Sequence, residues 1–129
     1  FAAAKMTETA GVFAAGQDLE EWCHVERFAY PDAMPVFVIA PPGRSSQHAA
    51  ALAKIARQQD RFVIAVTDQD DTDVAAYASA VLPVRGRVRE EFSPLLYHVF
   101  AGYVASYLAE RLNRLPFQAD RLPRTPRTP

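Results

Sequence analysis

Cysteine is nearly absent from this 129-residue chain. Its single thiol, Cys23, cannot close an internal disulfide, so nothing points to an oxidising compartment. A basic surplus is missing too: with a net charge of −1 the chain has no general electrostatic hold on nucleic acid. The amino end shows no basic start, apolar middle and small-residue end of a signal peptide. The longest apolar run, 94–109, is broken by His98 and Ser106 and falls short of a bilayer span. Metal-binding spacing is not found either. His24, His48 and His98 are scattered, without paired carboxylates. Asp68, Asp70, Asp71 and Asp73 lack the glycine and closing glutamate of a calcium loop and read as a solvated turn. These absences leave a cytoplasmic globular protein, with no metal, no nucleic acid and no membrane as partner.

What is present is apolar and periodic. Half the residues are hydrophobic, enough for one compact core. Residues 1–9 are strong helix formers. Gly11 and Gly16 bracket 12–15, which predicts a brief edge strand. Asp18 is placed to cap a helix running to about Phe28, with Glu20 and Glu21 in its first turn. Trp22 and Phe28 are expected in the core rather than stacked on a sugar, and Cys23 reads as a small buried residue. Two runs, 34–40 (MPVFVIA) and 61–67 (RFVIAVT), are continuously apolar and rich in β-branched residues, as buried parallel strands are. Between them Ser45 or Ser46 caps a helix with Ala49, Leu52, Ala53, Ile55 and Ala56 on one side. A short helix over 74–79 leads to a third strand, 80–84. The pattern then predicts one long helix from Glu91 to about Arg114. Its wide stripe, with Leu95, Val99, Tyr103 and Tyr107 among others, can pack on a sheet and still meet a second surface.

Strands alternating with helices predict an α/β fold, a parallel sheet flanked by helices on both faces. Three strands are few for that class, and Phe1 starts inside a helix. The expectation is therefore a partial domain over 1–115 that lacks its first strand, followed by a disordered proline- and arginine-rich tail over 116–129.

Four stretches in order carry a resemblance: Lys5-Met-Thr-Glu8, Ala14-Ala-Gly16, Glu21-Trp-Cys-His24, and 34–41 (MPVFVIAP). They are similar to the second sugar isomerase (SIS) domain of double-SIS proteins, such as the isomerase half of glucosamine-6-phosphate synthase and the fructosamine-phosphate deglycases. In that family a K-x-x-E motif is followed by E-x-x-H-G-P and a strand reading roughly M-P-V-hydrophobic-P. The fold implied is SIS-type, with flavodoxin-like layering. The function implied is binding of a phosphorylated sugar by an aldose–ketose isomerase or fructosamine-phosphate deglycase. Sites in this family lie between paired domains, which implies a homodimer or pairing with a first SIS half.

The resemblance also assigns roles. Glu8 stands where the family has its base, and His24 where it has the histidine that opens the sugar ring. Lys5 and Glu21 come with these motifs as substrate contacts. No cofactor is implied, because a carboxylate can move the proton through an enediol. From the residues alone, Glu8 reads first as a solvated helix glutamate, and only its registration with His24 balances the two readings; His24 is equally a structural histidine. The family's phosphate loop precedes the point where this chain begins. Its nearest imitation is 43–47 (GRSSQ), whose Ser45 and Ser46 either present an anion site at a helix start or serve as ordinary caps. The arginine-rich run 85–89 reads as a surface loop.

Some family features are not matched. Val25-Glu26 replaces the family's Gly-Pro, and no lysine other than Lys5 and Lys54 can stand for the tail lysine of the synthase group. Two functions therefore stay open: a catalytic domain, or a non-catalytic module that senses the sugar or only pairs.

Overall fold

The computed structural model describes residues 1–29, 31 and 33–121. They fall into two compact units, one of residues 17–97 and one of residues 1–16 with the chain from His98 on.

In the 17–97 unit three strands, β1 (Val36–Ala40), β2 (Val63–Asp68) and β3 (Ala80–Val84), form one sheet in the order β1-β2-β3. Both pairings are parallel, with Val36 opposite Val63 and Ile64 opposite Ala80. The continuous apolar runs thus form the parallel neighbours expected of them. The crossover from β1 to β2 is helix α3 (Ser46–Gln58). Its Ala49, Leu52, Ala53 and Ala56 join Val38, Ala40, Val63 and Ala65 in the core. The helix side of this layer is mostly alanine, so the backbone lies close to the sheet and Leu52 fills the remaining volume. Helix α2 (Leu19–His24) starts as expected: the Asp18 carboxylate accepts from the Glu21 N–H at 2.8 Å. It stops at His24, and a 3₁₀ turn (Glu26–Phe28) carries the chain onward.

Trp22 packs against the core as read from the sequence, but Phe28 does not. Its ring is 60% exposed, with the Arg27 guanidinium 4.5 Å above it. Arg61, by contrast, is buried and donates through Nη2 to the carbonyls of Arg27 (3.0 Å) and Ala29 (2.7 Å). This guanidinium ties the loop after α2 to the start of β2.

The other unit is built on α1 (Ala2–Ala10) and α5 (Val99–Arg111), which pack together. α1 ends at Gly11, which adopts φ 63° and returns its N–H to Thr7 O. Arg114 Nη1 then donates to the carbonyls of Ala10 (2.9 Å) and Gly11 (3.2 Å), satisfying groups that the helix end leaves open. The inner side of α5 is a seam of Ala101, Ala105 and Ala109.

Two expectations are corrected. Residues 12–15 form no strand: Thr7 Oγ1 donates to the Val12 carbonyl, and Phe13 is 88% exposed. The single long helix is in fact three pieces, a 3₁₀ turn (Glu90–Phe92), α4 (Ser93–Tyr97) and α5. Pro94 explains the first break, since it has no N–H to give and fits only a first turn. At the second break His98 is the cap residue of α5 (φ −94°, ψ −13°), and its ring meets Phe1 edge-on, with centroids 4.5 Å apart. Of the tail, Pro116–Gln118 forms a 3₁₀ turn, and 122–129 lies outside the described residues.

Candidate functional site

Lys5 and Glu8 sit one turn apart on α1 and meet: Lys5 Nζ donates to Glu8 Oε2 at 2.9 Å, with both side chains about two-fifths exposed. Lys5 also lies 5.7 Å from the Phe1 ring. Glu8 is thus a paired, water-accessible carboxylate at the end of a helix.

Glu21, His24, Ser45 and Ser46 belong to the other unit. His24 points outward, 70% exposed, with Nε2 2.8 Å from Glu20 Oε1. The second oxygen of Glu20 lies 3.4 Å from Nε2 of His48, on α3. One carboxylate therefore holds two imidazoles that stand far apart in the sequence. The i,i+4 spacing of Glu20 and His24 was visible beforehand; the arrival of His48 needed the α2–α3 packing. No three His, Cys, Asp or Glu groups among the described residues converge as a metal set. Glu21 uses its backbone N–H on Asp18, and its own carboxylate is exposed. Cys23 is a poor nucleophile: partial burial, then the Glu20 carboxylate, push its thiol up against the opposing pull of Arg27.

At the carboxyl end of β1 the chain turns through Pro41, Pro42 and Gly43 into α3. Ser45 is the cap residue, but its side chain makes no capping bond, and Ser46 Oγ donates back to the Gly43 carbonyl at 2.9 Å. The expected serine cap therefore does not form. Just before the helix, the Arg44 N–H donates to Glu90 Oε1 at 3.2 Å, and a Cβ on Gly43 would stand 2.6 Å from that carboxyl group. Sequence reasoning missed Glu90 because 46 residues separate it from Arg44.

The carboxyl end of β2 carries a second polar group. Thr67 Oγ1 contacts the Ala40 carbonyl at 3.0 Å and the Asp71 carboxylate. Asp71 Oδ1 also accepts from the N–H groups of Asp73 and Val74, and Asp68 Oδ1 from that of Asp70. Asp68 and Asp71 thus each turn one oxygen to the backbone of the acidic run. Tyr97 is buried nearby; burial first, then the Asp68 and Asp71 carboxylates, push its phenol above the ordinary value of 10.0.

A parallel sheet, an α-helical crossover and polar groups at the carboxyl ends of its strands define an α/β architecture. The chain belongs to the SIS domain family, whose model matches residues 1–109. It is 33% identical over 107 residues to the glutamine–fructose-6-phosphate aminotransferase (isomerizing) of Methanosarcina acetivorans, an alignment covering 83% of this chain and 17% of the relative. The chain thus spans less than a fifth of the length of the curated relative it matches. No helix among the described residues is long and apolar enough to cross a membrane.

Proposed function

We propose that this chain is the phosphosugar-binding SIS domain of a cytoplasmic aldose–ketose isomerase or deglycase, with Glu8 as the base and His24 in ring opening. The observation that carries the proposal is the family membership over 1–109, together with the likeness to a relative whose name says that it isomerises and acts with fructose 6-phosphate. In this reading Glu8 removes the proton from C2 of the open-chain aldose. The electrons form the C1–C2 enediolate, the O2 hydroxyl proton passes to O1, and the same carboxylic acid returns its proton to C1 as C2 becomes the carbonyl. His24, accessible and backed by the Glu20 carboxylate, passes a proton to the ring oxygen as the C1–O5 bond breaks. Lys5 holds Glu8 in place and contributes positive charge near the developing enediolate. Glu21, Ser45 and Ser46 contact the sugar. The domain works as a pair, either as a homodimer or with a first SIS half.

The Lys5–Glu8 ion pair and the Glu90 carboxylate at the α3 start favour a second reading, a module that binds or pairs without turnover. Ring-opening kinetics separate the two. His24→Asn is expected to slow turnover of a closed-ring sugar phosphate at least tenfold more than turnover of an open-chain analogue. Equal rates for both substrates would remove His24 from the site. Calorimetry that detected no binding of any phosphosugar would remove the catalytic and the sugar-sensing readings and leave a module that only pairs.

A further inference from the structure

We propose that residues 85–92 are a strap that Glu90 latches across the carboxyl edge of the sheet, and that a sugar phosphate enters there only when the latch opens. The strap stands on contacts within the 17–97 unit. Its role as a gate rests on the functional reading above, in which Ser45 and Ser46 contact the sugar.

Topology places the segment. The strands are parallel and ordered β1-β2-β3, so Ala40, Asp68 and Val84 end at one edge. The chain leaves that edge at Val84, yet by Glu90 its carboxylate accepts from the Arg44 N–H, just past the end of β1. Two strand spacings amount to about 10 Å, and a stretch such as 85–90 reaches at most about 20 Å. The segment therefore runs back past the end of β2 without a long detour. Ligands of open α/β sheets bind outside the carboxyl ends of the strands, which is the ground this segment occupies.

Its parts suit a strap. The near end turns at Gly86, whose φ of 113° is closed to ordinary side chains. The arm, 85–89, forms neither helix nor strand, and every residue of it is exposed, Arg85, Arg87 and Arg89 included. The Arg89 guanidinium stays with the segment itself, 4.9 Å from the Phe92 ring. The far end is the latch. A Cβ at position 43 would stand 2.6 Å from both Cδ and Oε1 of Glu90 and 3.0 Å from its Cγ. Gly43 has no positive φ, so its backbone does not call for glycine; the seated carboxyl group does. An ionised acceptor makes the Glu90–Arg44 bond one of the stronger kind, yet it lies exposed to water. Such a latch holds and still opens.

Gly43→Ala is the decisive variant. It suits the backbone and leaves Glu90 and every arginine in place, while its methyl displaces the free end of a flexible side chain. Cleavage after Arg87 by trypsin, followed by mass spectrometry on protein whose fold circular dichroism confirms, should speed at least tenfold. Glu90→Ala should match it, and Glu90→Gln, which keeps an oxygen acceptor, should fall between. If the closed strap excludes the ligand, apparent affinity rises by the factor by which the open fraction rises. Calorimetry over a panel of sugar phosphates, fructose 6-phosphate first, should therefore show binding tightened by that same factor in Gly43→Ala and in Glu90→Ala. Cleavage at the native rate in both variants overturns the strap. Faster cleavage with sugar-phosphate affinity unchanged overturns the gate. No binding of any sugar phosphate by the native protein or either variant overturns the functional reading and the gate with it, and the cleavage rates still decide the strap.

Discussion

Helices α3 and α5 are of equal length, 13 residues, and each lays an alanine-lined side inward, yet they differ on the outside. The exposed positions of α3 include Gln47, Lys54 and Gln58, which water solvates without cost. The exposed positions of α5 include Val99, Tyr103 and Tyr107. A helix with a polar outer face is complete within its own chain. One with an aromatic outer face keeps apolar area in water that only a further surface can remove. Inner packing makes a fold, and the outer face of a helix shows whether the fold stands alone.

The largest effect expected from this comparison lies inside α3. Leu52 is 3% exposed and is the one large side chain that α3 buries in its core layer, so Leu52→Ala should cost about 2–5 kcal/mol in urea unfolding. The inner seam of α5 should respond to the opposite change. Ala105 is fully buried, and Ala105→Leu should destabilise by about 1–3 kcal/mol through overpacking. If that enlargement were harmless, the seam would be loose and the two helices would not be comparable.

A pH effect separates the turn before α5 from α3. Because the Tyr97 phenol is raised in the folded chain, the unfolded chain loses that proton first. The stability it contributes is whole below about pH 10 and declines as pH climbs through the ordinary tyrosine range toward the folded value. Alkaline unfolding followed by circular dichroism should show that decline, and Tyr97→Phe should flatten it. The smallest effects belong to the outer faces. Lys54→Glu on α3 and Tyr103→Lys on α5 should each change stability by no more than about 0.5 kcal/mol. Only the second should change self-association.

The sheet was legible in the sequence because β1 and β2 are continuously apolar, even though Ile39 of β1 is 39% exposed, and β3 is bounded by clear turns. Family membership was read from the order of the stretches around Lys5, Glu8, Glu21, His24 and 34–41, and the SIS model matches residues 1–109. What was not legible came from contacts between distant segments. The Glu20–His48 approach, the Glu90 carboxylate at Arg44 and the Arg61 anchor each join residues that no local pattern links. The long helix was misread because its apolar period continues across Pro94 and His98, where the backbone does not. Val12–Ala15 was read as strand on composition, but it has no neighbour to pair with among the described residues.

The central functional claim is that Glu8 moves a proton on a phosphorylated sugar. Proton magnetic resonance in heavy water, run over a panel of aldose and ketose phosphates, tests it most directly. The account predicts that the native protein exchanges the C2 proton of one of them for deuterium. Glu8→Gln should abolish that exchange while binding the sugar phosphate about as well. A native protein that binds the sugar and exchanges nothing, or a Glu8→Gln variant that exchanges at the native rate, would contradict it.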